Sequence, residues 1–400
     1  MNVGIIGCGA SGMMAAISAA KCGHSVTVLE KNSRPGKKLL ATGNGKCNFT
    51  NSNLSSDFYN KSGRALFEAV YNEFNREKTL SFFKEIGVFP YEKNGYIYPR
   101  SEQALSVVAC LEAELLRHSI NLVFDCEIES IDKSNQFTVN TSKGIYTFDK
   151  LIIAAGSNAS PKTGSDGSGY GLAIKLGHKV KKPLPALCGL KCTGTDFKKI
   201  SGVRCQAKVT LVSDGNEVRS DFGELQLTDY GISGIPVFQI SGEAIRLLDE
   251  GHAVLVKVDY ANDFDFDELF ELLKKRNTLS NGNVNPSFLE GFINSKLSEM
   301  FCFEANDSKE IRNSKDIDKL IFKIAELIKG SEYKVIGHRG FDNCQVCTGG
   351  INTVDLKDTL ESKICPNLYF AGEIIDIDGI CGGYNLQWAW SSGYVAGQLK

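Results

Sequence analysis

Gly7-Cys8-Gly9-Ala10-Ser11-Gly12 is the stretch that decides the fold of this chain. Val3-Gly4-Ile5-Ile6 before it reads as a short buried strand, and Met13 to Ala20 after it reads as a helix. Ser25 to Leu29 reads as a second strand, closed by Glu30. Strand, glycine turn, helix, strand and acid together make the βαβ unit that binds dinucleotides. Each part has a physical task. Gly7 permits the tight turn, Gly9 lets the backbone approach a pyrophosphate, and Gly12 lets helix and sheet pack closely. The helix N-terminus offers N–H groups and a positive dipole to that pyrophosphate. Glu30 can accept hydrogen bonds from ribose hydroxyls, and its charge repels a 2′-phosphate.

Outward from this unit the chain divides into three zones. Residues 1–190 alternate strand and helix signals. Residues 63–86 carry helical periodicity, and 101–118 predict another helix with Ser101 as N-cap and Glu102 in its first turn. Asn121 to Phe124 predicts a strand. Residues 136–139 and 145–148 alternate around Ser142-Lys143-Gly144 as a hairpin does. Leu151 to Gly156 predicts a buried strand ending at glycine. Residues 191–335 change character: strand-rich to about 260, with strands over 207–212 and 253–258, then helical and charged from Asp267 to about Lys329. Residues 336–400 return to strand, glycine, helix: Leu368 to Ala371, then Gly372-Glu373, then a helix from about Tyr384 to Leu399. The last zone is too small to fold alone. The expectation is therefore an α/β, Rossmann-type nucleotide domain split in sequence (1–190 and 336–400). An inserted strand-rich and helical substrate domain (191–335) would cover the reactive end of the ligand.

Composition narrows the function class. The 45 basic and 47 acidic residues leave no electrostatic footprint for nucleic acid or an anionic membrane. A small-molecule substrate is the expected partner. The 13 cysteines are an odd number without a secretory signature, which suggests reduced thiols in a cytoplasm. Residues 1–20 are apolar, but they lack a basic leader and are broken by glycines. No membrane span is expected.

The segment Pro35 to Asn48 (Pro-Gly-Lys-Lys-Leu-Leu-Ala-Thr-Gly-Asn-Gly-Lys-Cys-Asn) is the next chemistry-bearing stretch. Lys37 and Lys38 can neutralise phosphates, Gly43 and Gly45 let backbone N–H groups approach a ligand, and the asparagines can read imide-like edges. A solvated basic loop is the plainer reading. Glu30 followed by this loop resembles the flavoprotein family labelled HI0933-like or YhiN-like, which includes bile-acid reductases of the BaiN type. Thr348-Gly349-Gly350-Ile351, Leu368 to Glu373, Asp376 to Gly379 and Cys381 to Trp390 extend the resemblance over the C-terminal zone. Gly156, the Gly164 to Gly171 loop and Arg339-Gly340-Phe341 also fit. Lys46 departs from the arginine more usual in related loops, keeping the charge but losing the bidentate fork.

The resemblance implies non-covalent FAD in the first βαβ unit, with NAD(P)H as a transient reductant. It implies a cofactor site built from several segments. The first unit supplies Gly7, Gly9, Ala10, Ser11, Gly12, Glu30 and Lys31. The loop supplies Gly36, Lys37, Lys38, Thr42, Asn44, Gly45, Cys47 and Asn48. The backbone of Ile128 would read the adenine, and Ala155 and Gly156 would pass near the nucleotide. Gly372 and Glu373 would lie near the ribityl–pyrophosphate segment. Gly382, Gly383, Tyr384, Asn385 and Leu386 would open a helix whose positive end stabilises the anionic reduced flavin.

The implied activity is hydride transfer through flavin N5, reducing an activated C=C or a related small organic substrate. An RNA-modifying flavoenzyme and an aminoacetone-type amine oxidase are the alternatives. The first would need a basic groove such as Lys191, Lys198, Lys199, Arg204 and Lys208, which also reads as one solvated strand face. A non-catalytic flavin-binding protein is a third reading. Tyr384 and Arg339 are polar candidates for proton donation. Cys47 is a nucleophile or a packing residue. His338 faces substrate or solvent. Cys344-x-x-Cys347 reads as structure or as a redox pair, and the Gly164 to Gly169 loop as part of the nucleotide domain. Paired metal-ligand spacing is absent and the five histidines are dispersed, so no metal is expected.

Overall fold

A computed structural model describes residues 1–279, 284–309 and 316–400. The described chain forms two compact units, Met1–Pro185 with Gly340–Lys400, and Ala186–Arg339. These boundaries differ from 190/191 and 335/336 because Leu190–Thr193 and all of Ser331–His338 are paired as barrel strands in the second unit.

The first unit is built on a five-stranded parallel sheet in the order Leu368–Phe370, Lys150–Ile153, Asn2–Ile6, Ser25–Leu29, Asn121–Val123. Its central strands are continuous apolar runs because they are covered on both faces. Ile5, Ile152 and Val28 lie in one row across the sheet, each without exposure. The helix Ala10–Lys21 is buried from Ser11 through Ala19, so it carries little amphipathic contrast. Its small residues let the C-terminal helix Tyr384–Gln398 lie directly on it. A Cβ at Gly393 would sit 2.4 Å from the Ser11 carbonyl oxygen, and one at Gly397 2.5 Å from that of Ala15. Larger side chains at either glycine would force the two helices apart.

Two antiparallel elements flank this sheet. Ile128–Lys133, Phe137–Thr141 and Gly144–Phe148 form a three-stranded meander. Phe148 reaches over Gly4, where a Cβ would fall 2.4 Å from its ring. The second element pairs Pro90–Lys93 and Thr50–Asn51 with Tyr96–Pro99. Asn94 and Gly95 make its hairpin turn with φ of 54° and 84°, the left-handed pair that matches strand twist.

The second unit is a closed barrel in the order Leu190–Thr193, Gly231–Gly234, Asn216–Thr228, Arg204–Ser213, Val254–Asp259, Ser331–His338. Alternation puts Ala207, Val209, Leu225, Leu227, Val256 and Val258 inside. Helices Phe266–Leu279, Ser295–Asp307 and Ile317–Gly330 fall between its fifth and sixth strands in sequence. The helical stretch expected over 267–329 includes residues 280–283 and 310–315, which lie outside the described residues.

The fold class is the one read from the sequence, and local differences have local causes. The helical stretch 63–86 is two helices, Arg64–Glu73 and Arg76–Glu85, because the Asn75 side chain caps the second at Lys78 N–H. The helix expected from Ser101 starts at Ala104, since Glu102 turns to φ 50° and pairs with Lys46. The strand-rich zone before 260 contains a 15-residue helix, Ile235–Asp249, opened by Pro236 in its first turn. Among the described residues no helix is long and apolar enough to cross a membrane.

Candidate functional site

The glycine turn is shaped by contacts that only glycine tolerates. Gly7 has φ 98°, and a Cβ there would meet the Ala154 carbonyl oxygen at 2.6 Å. A Cβ at Gly12 would meet the Gly7 carbonyl oxygen at 2.0 Å. Gly9, the helix N-cap, is different: a Cβ there would have no heavy atom within 4 Å. The first two glycines are required by packing, whereas Gly9 fronts open space at the N-terminus of a 12-residue helix. That is the arrangement an anionic pyrophosphate needs.

Glu30 ends the second strand and is 7% exposed. Its carboxylate accepts from Cys8 N–H at 2.6 Å and from Asn32 N–H and Nδ2 at 2.8 and 2.7 Å. A carboxylate has about four acceptor sites, so one remains for a ribose hydroxyl. The same carboxylate therefore braces the glycine turn.

The lysines expected at the cofactor carry other partners. Lys31 pairs with Asp166 at 2.5 Å and Lys38 with Glu373 at 2.6 Å; the Lys37 ammonium donates to Asn32 Oδ1 at 3.4 Å. Glu373 also accepts from Cys347 N–H at 3.2 Å. Lys38–Glu373 joins the N-terminal loop to the C-terminal segment beside the glycine turn. There a Cβ on Gly372 would lie 2.3 Å from Ser11 Oγ. Ala155 and Gly156 follow the strand that backs Gly7, and Gly156 is hemmed by Ser165 Oγ. Ile128 lies next to a register shift in its strand, where the ladder leaves a residue without a partner opposite.

The 39–48 loop is held by backbone conformation. Gly43, Asn44 and Gly45 have φ of 55°, 53° and 83°, and Cys47 N–H returns to the Thr42 carbonyl at 3.0 Å. Thr42 Oγ1 donates to the Leu39 carbonyl, and Gly36 N–H to that of Cys8. A Cβ on Gly45 would also front open space. Beside this loop the C-terminal helix begins at Gly383, φ 95°, where a Cβ would strike the Thr50 carbonyl oxygen at 2.6 Å and Asn48 Oδ1 at 2.9 Å. Asn51 Nδ2 donates to the Gly382 carbonyl at 2.8 Å. Thr50 Oγ1 donates to Gln387 Oε1 at 2.6 Å, and Gln387 Nε2 donates to Thr79 and Ser391. The strand Thr50–Asn51 that follows the loop is thus locked to the start of the C-terminal helix by buried hydrogen bonds.

Several expected roles change in this geometry. Tyr384 is 5% exposed and its hydroxyl donates to the Asn53 carbonyl at 2.9 Å, while Tyr59 donates to the Tyr384 carbonyl. Burial pushes its hydroxyl up to about 12. It anchors the helix start and is not poised to protonate a substrate. Cys47 has no exposure, and burial pushes its thiol up to about 12, so it is a packing residue and no nucleophile. Asn385 spends its side chain on Gly379, accepting from its N–H and donating to its carbonyl; Leu386 packs on the core. Arg339 belongs to the second unit, with its guanidinium 4.8 Å over the Tyr230 ring. Burial lowers the pKa of His338 in that unit, with a smaller effect from Lys191. Cys344 and Cys347 are buried free thiols. A hydrogen bond with Cys344, then burial and the Glu373 charge, hold the Cys347 thiol well above the ordinary range. Lys191, Lys198, Lys199, Arg204 and Lys208 are exposed, and Arg204 is paired with Glu224.

Tyr96 and Tyr98 are near the site and were not anticipated. The Tyr96 ring lies 3.1 Å from a Cβ position at Gly382, and the Tyr98 ring 3.6 Å from one at Gly43. The signal was the Asn94-Gly95 turn followed by Tyr-Ile-Tyr alternation. Among the described residues no group of three or more His, Cys, Asp or Glu could hold a metal ion.

Comparison with known proteins adds four findings. The HI0933-like protein Rossmann domain family matches residues 1–399. The chain is 38% identical over 405 residues to the 3-dehydro-bile acid delta(4,6)-reductase of Clostridium scindens, covering 99% of this chain and 98% of that protein. It is 28% identical over 401 residues to the ribosomal RNA dihydrouridine synthase of Haemophilus influenzae, covering 98% and 96%. Among solved structures, 3-ketosteroid delta1-dehydrogenase from Sterolibacterium denitrificans superposes with TM-score 0.51 at 12% identity, covering 99% of this chain and 98% of that one. That likeness speaks to the fold alone.

Proposed function

Because the chain belongs to the HI0933-like family, we propose that this FAD-dependent oxidoreductase reduces a C=C conjugated to a carbonyl, with NAD(P)H as the electron source. The observation that carries the reading is the full-length similarity to a delta(4,6)-reductase of 3-dehydro bile acids. The second relative points to the same bond chemistry, since dihydrouridine is uridine saturated at a C=C conjugated to a carbonyl.

The residues fit FAD. The open space at Gly9 would admit its pyrophosphate against the helix N-terminus, and the remaining acceptor site of Glu30 suits a ribose hydroxyl. The glycine loop and the N-terminus at Gly383 would flank the isoalloxazine. Bound there without a covalent link, FAD supplies two-electron hydride chemistry. The protein's own part is to hold these segments rigid through Lys38–Glu373, Asn51–Gly382 and Thr50–Gln387, and to keep water from them by burial. The helix dipole at Gly383 would favour negative charge developing beside it.

The test is anaerobic. NADH or NADPH should bleach the flavin, and 2-cyclohexen-1-one or 4-androstene-3,17-dione should restore its colour. Bleaching without restoration by any enone would reject a small enone as the substrate. An RNA substrate is the second reading, favoured by the dihydrouridine synthase relatives. It predicts that a ribosomal RNA fragment restores the colour where small enones do not, with binding that weakens steeply as salt rises.

A further inference from the structure

Tyr98 lies on Tyr96–Pro99, whose alternation buries Ile97 and Pro99 and turns Tyr96 and Tyr98 to the opposite face. On that face Tyr96 borders Gly382 and Tyr98 borders Gly43. The pair thus lines the space between the left-handed loop and the start of the C-terminal helix. The hydroxyls of Tyr59 and Tyr384 nearby are committed to backbone carbonyls. The Tyr98 hydroxyl makes no hydrogen bond among the described residues, and its side chain is half-buried. Its charged neighbours, Lys46 and Glu102, are spent on each other at 2.6 Å, and the Cys381 thiol is the third titratable group close by. Burial raises the phenol above its ordinary value, so it carries its proton at neutral pH. Tyr91 opposes it across the hairpin and, with Phe89, is exposed, giving an apolar approach.

We infer that Tyr98 is the catalytic acid that protonates the substrate as its C=C is reduced, an assignment resting on the C=C reductase reading above. The C=C π bond is lost and two C–H bonds form. The carbon β to the carbonyl gains a hydride whose two electrons come from NAD(P)H. The α carbon gains the proton of the Tyr98 hydroxyl, and water restores that proton to the phenolate. General acids at such positions contribute roughly 10²–10⁴-fold.

Tyr98→Phe removes only the hydroxyl, so the test compares it with the wild type in three measurements. The FAD dissociation constant of the apoprotein and the perturbation of the flavin spectrum by 4-androstene-3,17-dione should change by less than about threefold, since the ring and not the hydroxyl makes the contacts. Bleaching by NAD(P)H should also be unchanged. Re-oxidation of the bleached protein by 2-cyclohexen-1-one should slow by at least about 100-fold. A variant that re-oxidises at the wild-type rate overturns the assignment, and so does one that loses FAD, because the hydroxyl then serves the cofactor. If the bleached wild type is re-oxidised by no enone, the small-enone reading beneath the assignment fails, and that outcome is distinct from either result with the variant.

Discussion

At the residue scale, Gly9 and Gly12 carry the same letter for different reasons. Gly12 is required by the protein, because a methyl there would overlap the Gly7 carbonyl. Among the described residues, a Cβ at Gly9 would meet no heavy atom within 4 Å. Gly9→Ala should therefore leave the melting temperature within about 2 °C, the cost of an alanine at an N-cap being at most about 1 kcal/mol. It should weaken FAD binding by at least about tenfold if, as proposed, the added methyl falls where the pyrophosphate binds. Gly12→Ala should do the reverse in order, lowering stability first. Titration of the two apoproteins with FAD, alongside thermal melts, separates them; equal loss of stability in both would remove the argument for a ligand at Gly9.

These glycines were legible because their spacing encodes backbone geometry. The partners of Lys31, Lys38 and Tyr384 were not. Lys38 meets Glu373, which lies 335 residues away in sequence, and Tyr384 meets Asn53. No local pattern encodes which long-range acceptor a flexible side chain finds. Cys47 was open between nucleophile and packing until its burial was known, since burial decides the thiol's protonation.

At the element scale, the strands and helices of the sheet were legible from periodicity, and the C-terminal helix was placed to within one residue of its observed end at Gln398. The break at Asn75 was missed because apolar spacing continues across it while the cap interrupts the backbone. Helix Ile235–Asp249 was missed because its surroundings are strands and its start is marked only by Gly234-Ile235-Pro236. The Tyr96–Pro99 strand was not anticipated, because four residues carry too short an alternation to stand out from the flanking turns.

One element-scale contact makes a pH prediction. His178 follows the helix Ser168–Lys175, and its ring meets Phe370 of the edge strand at 4.7 Å while Nε2 bonds to Ser362 Oγ at 2.8 Å. Burial, opposed in part by Asp355, lowers its pKa below 6.5 in the folded state. The unfolded chain therefore binds the proton first as pH falls. Stability from this group is complete above about pH 6.5 and declines below it, with a slope of at most about 1.4 kcal/mol per pH unit. Urea unfolding at pH 7.5 and pH 5.5 should show the decline, and His178→Gln should reduce it. An undiminished decline in the variant would assign the effect to other groups.

At the scale of the whole molecule, the near-zero net charge gives no basic footprint, while full-length relatives include enzymes named for bile-acid and for ribosomal RNA substrates. The fold class was legible because strand, glycine turn and helix recur near both ends of the chain, and Leu368–Phe370 indeed pairs with Lys150–Ile153 in one sheet. The barrel of Ala186–Arg339 was legible only as a strand-rich zone, because closure depends on pairing Leu190–Thr193 with Ser331–His338, about 140 residues apart. Substrate choice was not legible at all, since no motif in that zone specifies it.

The measurement that bears most directly on the central claim is the visible spectrum of the purified protein, followed by heat release and identification of any chromophore. A yellow protein that releases one equivalent of intact FAD is the expected result. A colourless protein that takes up no FAD on reconstitution would contradict it.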